Sequence, residues 1–238
     1  MSGGYLAIRR ARSFLRNSIL GSNEGIQALD GLDLTENPAV RVAVHVRGGD
    51  FQQGDSVEQS VFNQVLPIEW YRKQLETLTS SLDLPIEVFL ATDGNQAAIA
   101  DSISLGRTEP HVIGTSSISD LAILANCDVL ISSVSSFSML AAFLSDAPYI
   151  WHRDQLGESG GWLSIWGHEA LNEGGGPTQN SLRRSIHNPS SFHRGHAHSM
   201  KPVWSSALLE YLRHRAMLRV MTTDLIHYGV VASDETQS

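Results

Sequence analysis

A turn of basic, glycine and acidic residues after a short apolar run has the composition of an anion-binding site. The run 41–46 leads into the segment His45-Val46-Arg47-Gly48-Gly49-Asp50. Because side chains alternate along a strand, His45 and Arg47 project to the same face. The Arg47 guanidinium offers a planar fork of donors to phosphate oxygens, and Gly48 and Gly49 let a phosphate approach backbone N–H groups. Asp50 could orient Arg47, and the alternative for Arg47 is a surface salt bridge at a strand end.

A group of small hydroxyl residues forms a second candidate anion contact. It comprises Ser135, Ser136, Phe137 and Ser138, which lead directly into an apolar helical pattern. Backbone N–H groups and the positive dipole end at a helix start favour a bound anion. Ordinary serine capping is the alternative for this segment taken alone.

A carboxylate after another apolar run is a candidate for base recognition. Asp93 follows the run 86–91 and precedes Gly94. A carboxylate can accept both the ring N–H and the exocyclic amine of guanine, an arrangement that uracil and adenine do not offer. As an isolated pair, Asp-Gly also fits a plain turn.

The elements that position these residues repeat a single unit between residues 41 and 153. In each unit a short apolar run leads into a helical pattern, which predicts a Rossmann-like, doubly wound α/β fold with a parallel sheet covered on both faces. Strands are predicted at 41–46, 86–91, 111–113, 128–131 and 149–151. Ligands of such sheets bind outside the carboxyl ends of the strands, where the candidate residues lie.

The chain divides into three predicted parts. Residues 1–40 form an amino-terminal helical segment, residues 41–155 the α/β domain, and residues 156–238 a glycine-rich loop followed by a helix that packs on the same domain. The arginine-rich start is interpreted as an amphipathic helix lying on the next strand, with an organelle transit peptide as the alternative. The last helix is predicted near Val203, with four leucines on one side, namely Leu208, Leu209, Leu212 and Leu218.

Composition excludes several classes of protein. With 17 basic and 25 acidic residues the net charge is −8, which argues against non-specific binding of nucleic acid. No run of ~18 apolar residues predicts a transmembrane segment. Cys127 is the single cysteine, so no intramolecular disulfide can form, and a cytoplasmic location is expected. The glycine-rich motifs of dinucleotide-binding oxidoreductases and P-loop NTPases do not occur.

Several histidines and acids have weaker claims to chemistry. His187, His193, His196 and His198 have zinc-like spacing but are interpreted as a solvent-exposed loop, because no cysteine or acid lies near them in sequence. Glu158, His152, His168 and Glu169 are candidates for a general base and are each interpreted as surface polar residues.

The ordered set of motifs resembles a known family. The segment 45–50 resembles the H-x-R-x-G-D signature of the alpha-1,2-, alpha-1,6- and protein O-fucosyltransferases. The segments 66–71 and 90–93 follow in the expected order and spacing, and the later segments 120–121, 127–128 and 135–144 are most similar to the alpha-1,2 branch, glycosyltransferase family 11. The resemblance covers about residues 41 to 151 and is more specific than any single motif.

The resemblance implies a two-domain GT-B fold whose carboxyl-terminal half binds GDP-fucose and transfers fucose with inversion, without a cofactor or an obligatory metal. Arg47 would then bind the β-phosphate with His45 shaping the pocket, and Asp93 would read guanine. Ser136, Phe137 and Ser138 would line the phosphate and base.

Only about forty residues precede the turn, whereas the family has a whole amino-terminal domain there. A missing domain or a partner chain would therefore supply the glycan acceptor site. A GDP-binding module without transferase activity, or a transferase that uses another nucleotide sugar, are the alternative functions.

Overall fold

The computed structural model describes six stretches of the chain, and the fold is given for these residues. They are residues 6–32, 38–48, 65–106, 108–133, 135–152 and 195–227. The helices are a 3₁₀ helix Leu6–Ala11, α1 Arg12–Leu20, α2 Asn23–Asp30, α3 Ile68–Ser81, α4 Gln96–Ile103, α5 Ser117–Asn126, α6 Ser136–Leu144 and α7 Ser206–His227. The strands are β1 Val40–Val46, β2 Ile86–Thr92, β3 His111–Val112, β4 Val129–Ser132, β5 Tyr149–His152 and β6 Gly195–His198.

Within the described residues the strands form one sheet in the order β3-β2-β1-β4-β5-β6. Every neighbouring pair in this sheet is parallel. This is the strand order of the Rossmann fold, in which the chain reverses direction across the sheet between β1 and β4. The predicted α/β class and all five predicted strands are therefore confirmed.

Two apolar cores cover opposite faces of the sheet. One packs Val42 and Val44 of β1 against α3 and α7, through side chains that include Trp70 and Leu208. The other packs Ala43 against α5 and α6. Since strand side chains alternate, His45 shares the face of Ala43 and is directed toward α5 and α6.

The predicted amino-terminal helix is present, but it packs against other helices and not on β1. Helix α1 lies against α5 and α6. The Arg12 guanidinium donates to the carbonyl oxygens of Phe143 and Leu144 at 2.6 and 2.9 Å and forms an ion pair of 2.6 Å with Asp146. These contacts place a cation at the carboxyl end of α6, where the last helix carbonyls lack intrahelical partners.

Strand β6 was not predicted, and it extends the sheet beyond β5. The interpretation of His196 and His198 as part of an exposed loop is wrong, because they are 8% and 6% exposed and β6 pairs with β5 along its length. A Cβ on Gly195 would lie 2.7 Å from the Tyr149 ring, so glycine permits that ring to pack on β6. Small and polar residues alternate in the sequence Gly-His-Ala-His, but the segment is short and poor in residues that favour strands. The sequence pattern therefore did not predict β6.

Helix α7 covers the face of the sheet on which α3 lies. Leu208 and Leu212 are fully buried in that core, and Leu209 packs against it. Leu218, which was predicted on the same side of the helix, is 42% exposed, so that part of the prediction is wrong.

The amino-terminal edge of the sheet holds a buried carboxylate immediately before β4. The Asp128 side chain is 3% exposed, and its Oδ2 accepts the backbone N–H of Arg41 at 2.9 Å. The Arg219 guanidinium of α7 also donates to Oδ2, and Arg215 Nε lies 3.8 Å from Oδ1. Asp128 therefore ties β1, β4 and α7 together.

Candidate functional site

Strand register brings the predicted site residues to one edge of the sheet. His45 of β1 pairs with Ala91 of β2 and with Ser132 of β4. The residues that follow these three parallel strands therefore lie side by side at the carboxyl edge. This edge is where ligands bind to Rossmann-like sheets.

Arg47 and Asp93 meet at this edge. Arg47 Nη1 lies 2.7 Å from Asp93 Oδ2, and the two side chains are 29% and 32% exposed. The backbone N–H of Gly48 donates to Asp93 Oδ1 at 2.8 Å. The alternative interpretation of Arg47 was a surface salt bridge at a strand end. The salt bridge is present, but its partner, Asp93, is another predicted site residue.

His45 is buried at the end of β1 and is held by hydroxyl groups. Its Nδ1 lies 2.5 Å from Ser138 Oγ and 3.2 Å from Ser133 Oγ. The His45 and Phe137 ring centroids are 5.4 Å apart. Burial lowers the pKa of His45 to about 4, an effect that the Asp93 carboxylate opposes and the Arg47 guanidinium assists. The imidazole is therefore neutral near pH 7.

The start of α6 is a capped helix N-terminus. Ser135 is the N-cap, and its Oγ accepts the backbone N–H of Ser138 at 3.1 Å. The Ser138 side chain is fully buried and contacts His45, Phe137 is half-buried, and Ser136 is exposed. Serine capping is thus observed, and the predicted phosphate contact at this helix start stays a prediction.

Ser133 is a site residue that the sequence analysis missed. It is 1% exposed, its backbone N–H donates to the His45 carbonyl at 3.1 Å, and its hydroxyl reaches the His45 ring. Ser133 directly follows β4, so the strand-end rule that selected Asp93 could have selected it as well.

Other predicted residues are buried elsewhere or lie outside the described stretches. His152, interpreted as a surface residue, is 8% exposed, and its ring lies 5.4 Å from that of Trp70. The interpretation of His152 is therefore wrong. Outside the described residues lie Gly49, Asp50, Glu158, His168, Glu169, His187 and His193.

The part of the chain that the structure describes contains no cluster of three histidine, cysteine or acidic side chains that could hold a metal ion. The expected independence of metal stays a prediction. No helix within the same residues is long and apolar enough to cross a membrane.

The fold and this edge define an α/β protein with a candidate ligand site at the point where the strand order reverses. Residues 8–151, more than half of the 238 residues, match the family Glycosyl transferase family 11. The chain therefore belongs to this glycosyltransferase family, and the family predicted from the turn at His45 is confirmed. The matched range begins within the 3₁₀ helix, so it includes α1 and α2.

Solved structures of fucosyltransferases are similar to the chain over about half its length. POFUT1 in complex with GDP-fucose is 19% identical, with a TM-score of 0.43, and the match covers 55% of this chain and 46% of that chain. NodZ alpha-1,6-fucosyltransferase soaked with GDP-fucose is 21% identical, with a TM-score of 0.32 and coverage of 51% and 40%. Fucosyltransferase NodZ from Bradyrhizobium is 19% identical, with a TM-score of 0.34 and coverage of 52% and 42%.

The chain thus spans less than half the length of these structures. No match was found among curated proteins.

Proposed function

We propose that this chain transfers L-fucose from GDP-fucose to a glycan hydroxyl with inversion. One observation carries the proposal. In a member of glycosyl transferase family 11, the Arg47 guanidinium and the Gly48 N–H converge on a single anion, the Asp93 carboxylate, at the carboxyl edge of the sheet. Donors that hold a carboxylate in this position have the chemistry to hold a phosphate.

In this proposal the donor nucleotide lies across the ends of β1, β2 and β4. Arg47 and the backbone of Gly48 and Gly49 bind the diphosphate, and Asp50 orients Arg47. Asp93 reads the guanine edge, and neutral His45 shapes the pocket between base and phosphate. The start of α6, from Ser135 to Ser138, lines the same pocket.

The chemical step is a displacement at the anomeric carbon of fucose. The acceptor oxygen forms a bond to that carbon as the carbon–oxygen bond to the diphosphate breaks, and GDP leaves. The acceptor proton passes to a general base. Negative charge grows on the diphosphate, so the Arg47 cation stabilises the transition state in place of a divalent metal ion.

Calorimetric titration of the chain with GDP, GDP-fucose and UDP, with and without magnesium, tests the donor site. We expect GDP to bind more tightly than UDP, and magnesium to change neither affinity. Arg47→Ala should weaken GDP binding by about 1.5–3 kcal/mol, because it removes a charge-assisted contact. The control Arg213→Ala removes an arginine that pairs with Asp83 before β2, and it should leave GDP affinity unchanged.

Turnover separates the proposed enzyme from a binding module. GDP-fucose is incubated with a panel of galactosides, and GDP release is followed over time. Acceptor-dependent release supports the transferase, whereas GDP binding without release supports the module. Preference for UDP would point to another nucleotide sugar, and absence of GDP binding by folded protein would reject the GDP-binding site.

A further inference from the structure

The Asp93 carboxylate occupies the donors that the proposed function assigns to a phosphate. Its Oδ2 is bound by Arg47 Nη1 at 2.7 Å, and its Oδ1 accepts the Gly48 N–H at 2.8 Å. The same two oxygens would be needed to accept the ring N–H and the exocyclic amine of guanine. Arg47 and Gly48 therefore compete with guanine for the same two carboxylate oxygens.

We infer that the Asp93 carboxylate occupies the anion site when no ligand is bound. A diphosphate displaces this carboxylate from Arg47 and Gly48, and the carboxylate then becomes available to guanine. The inference rests on the proposed function, because it takes the diphosphate and base of GDP as the two competing partners. Filling of the phosphate site and reading of the base are then coupled through one side chain. Binding of a phosphate at one subsite then raises the affinity of the other subsite for guanine, and the change in binding free energy is the same in both directions.

The surroundings of Asp93 suit an exchange of partners. Arg47 and Asp93 are each about one-third exposed, and ion pairs with this exposure are weak. The connection from β2 to α4 is held without the Asp93 side chain. Thr92 Oγ1 accepts the Gly94 N–H at 3.0 Å, and Asn95 Oδ1 accepts the Ala98 N–H at 3.1 Å. Rotation of the Asp93 carboxylate therefore leaves these two hydrogen bonds, from backbone N–H groups to side-chain oxygens, in place.

Inorganic pyrophosphate is the probe, because it carries the diphosphate without a base. Its affinity is measured by calorimetry at fixed ionic strength for the full chain and for Asp93→Asn. We expect Asp93→Asn to bind pyrophosphate about two- to fivefold more tightly, because the charge that competes with the probe for Arg47 and Gly48 is removed. The control Asp83→Asn removes the same charge from the exposed pair with Arg213 and should not change the affinity.

A double-mutant cycle with Arg47→Ala distinguishes competition for Arg47 from a general effect of local charge. If Asp93 competes for Arg47, Asp93→Asn should have much less effect on pyrophosphate affinity in the Arg47→Ala background. An equal effect in both backgrounds would show that only the electric field had changed, and the inference would be wrong. Circular dichroism checks that each variant is folded.

The sign of the pyrophosphate effect is decisive. Unchanged or weaker binding to Asp93→Asn would mean that Asp93 positions Arg47 or has no effect on the anion, and it would overturn the inference. Failure of pyrophosphate to bind either protein would overturn it too. GDP should show the opposite change and bind Asp93→Asn more weakly. If GDP does not bind the unaltered chain, the proposed function fails, and pyrophosphate still decides whether Asp93 occupies an anion site.

Discussion

The two edges of the sheet each carry an arginine–aspartate pair, and the pairs differ in burial. At the amino edge Asp128 is 3% exposed, and it binds the Arg41 backbone together with Arg219. At the carboxyl edge Asp93 is 32% exposed, and it binds Arg47. The charged groups are the same at both edges, but the Asp128 carboxylate is buried and the Asp93 carboxylate is partly exposed to solvent.

Burial decides what each pair can do. A buried carboxylate has lost its hydration, so removing its partners leaves a charge that nothing stabilises. The Asp128 contacts are therefore costly to break, and they join β1, β4 and α7. A partly exposed carboxylate keeps water as an alternative partner, so its ion pair is weak and can be exchanged for a ligand. We therefore expect the amino edge to contribute to stability and the carboxyl edge to bind the ligand.

The largest expected effect comes from breaking the buried pair. Asp128→Ala should lower the free energy of unfolding by about 3 kcal/mol, the lower end for a broken buried ion pair, since Arg215 and Arg219 can still reach water. Urea unfolding followed by circular dichroism measures it. The matched change at the other edge, Asp93→Ala, should cost less than about 1 kcal/mol. Equal losses for the two variants would remove the distinction between the edges.

Acidification should act on the buried neutral histidines. The pKa is lowered by burial to about 4 for His45 and, with His198 contributing, to about 3 for His196. In the unfolded chain a histidine has a pKa of about 6.5, so the unfolded state takes up the proton first as the pH falls. The free energy of unfolding should be retained above about pH 6.5. Below that pH it should fall by up to about 1.4 kcal/mol per pH unit for each histidine, down to about pH 4 for His45 and about pH 3 for His196.

Unfolding free energies at pH 7, 6 and 5 give this slope, and His196→Asn should reduce it by the share of one histidine. An identical slope in the variant would show that His196 does not titrate in this way. Affinity for GDP-fucose, whose doubly esterified diphosphate takes up no proton in this range, should stay constant between pH 7 and pH 5, because His45 remains neutral in the folded chain. A GDP-fucose affinity that changes with an apparent pKa near 6.5 would count against a neutral His45.

A smaller effect is expected from the hydroxyl that holds His45. Ser138→Ala removes the contact of 2.5 Å to Nδ1 and should lower stability by about 1 kcal/mol. We also expect weaker GDP binding, because the His45 ring loses a partner that orients it. The control for stability alone is Ser136→Ala, which lies two residues earlier on α6 and is exposed. Similar losses of stability in both variants would contradict a special role for Ser138.

The smallest effect on stability is expected at the turn. A Cβ added to Gly48 would approach Gly94 Cα no closer than 3.9 Å, so Gly48→Ala should change the free energy of unfolding by less than about 0.5 kcal/mol. GDP affinity should nevertheless fall, because the new methyl group lies where a phosphate would approach the backbone. If GDP binds the variant normally, the phosphate does not approach Gly48.

Most of the fold was predictable because β1, β2, β4 and β5 are short apolar runs, each followed by polar or glycine residues. The same rule found Arg47 and Asp93, since each follows such a run. It missed Ser133, which occupies the equivalent position after β4, and it missed β6, whose Gly-His-Ala-His sequence lacks an apolar centre. The position of α1 was not predictable either, because Arg12 binds carbonyl groups of α6 that are distant in sequence.

The sequence by itself determined the α/β class, the sheet edge at which the candidate residues lie, and the family. Local patterns were sufficient because the apolar period of a strand and the polar residues at its end are properties of adjacent residues. The tertiary structure alone decided that Asp93 binds Arg47 and Gly48, that Ser138 holds His45, and that Asp128 is buried. These pairings join residues of different elements, and hydrogen bonds and ion pairs depend on distance and burial, which spacing along the chain does not specify.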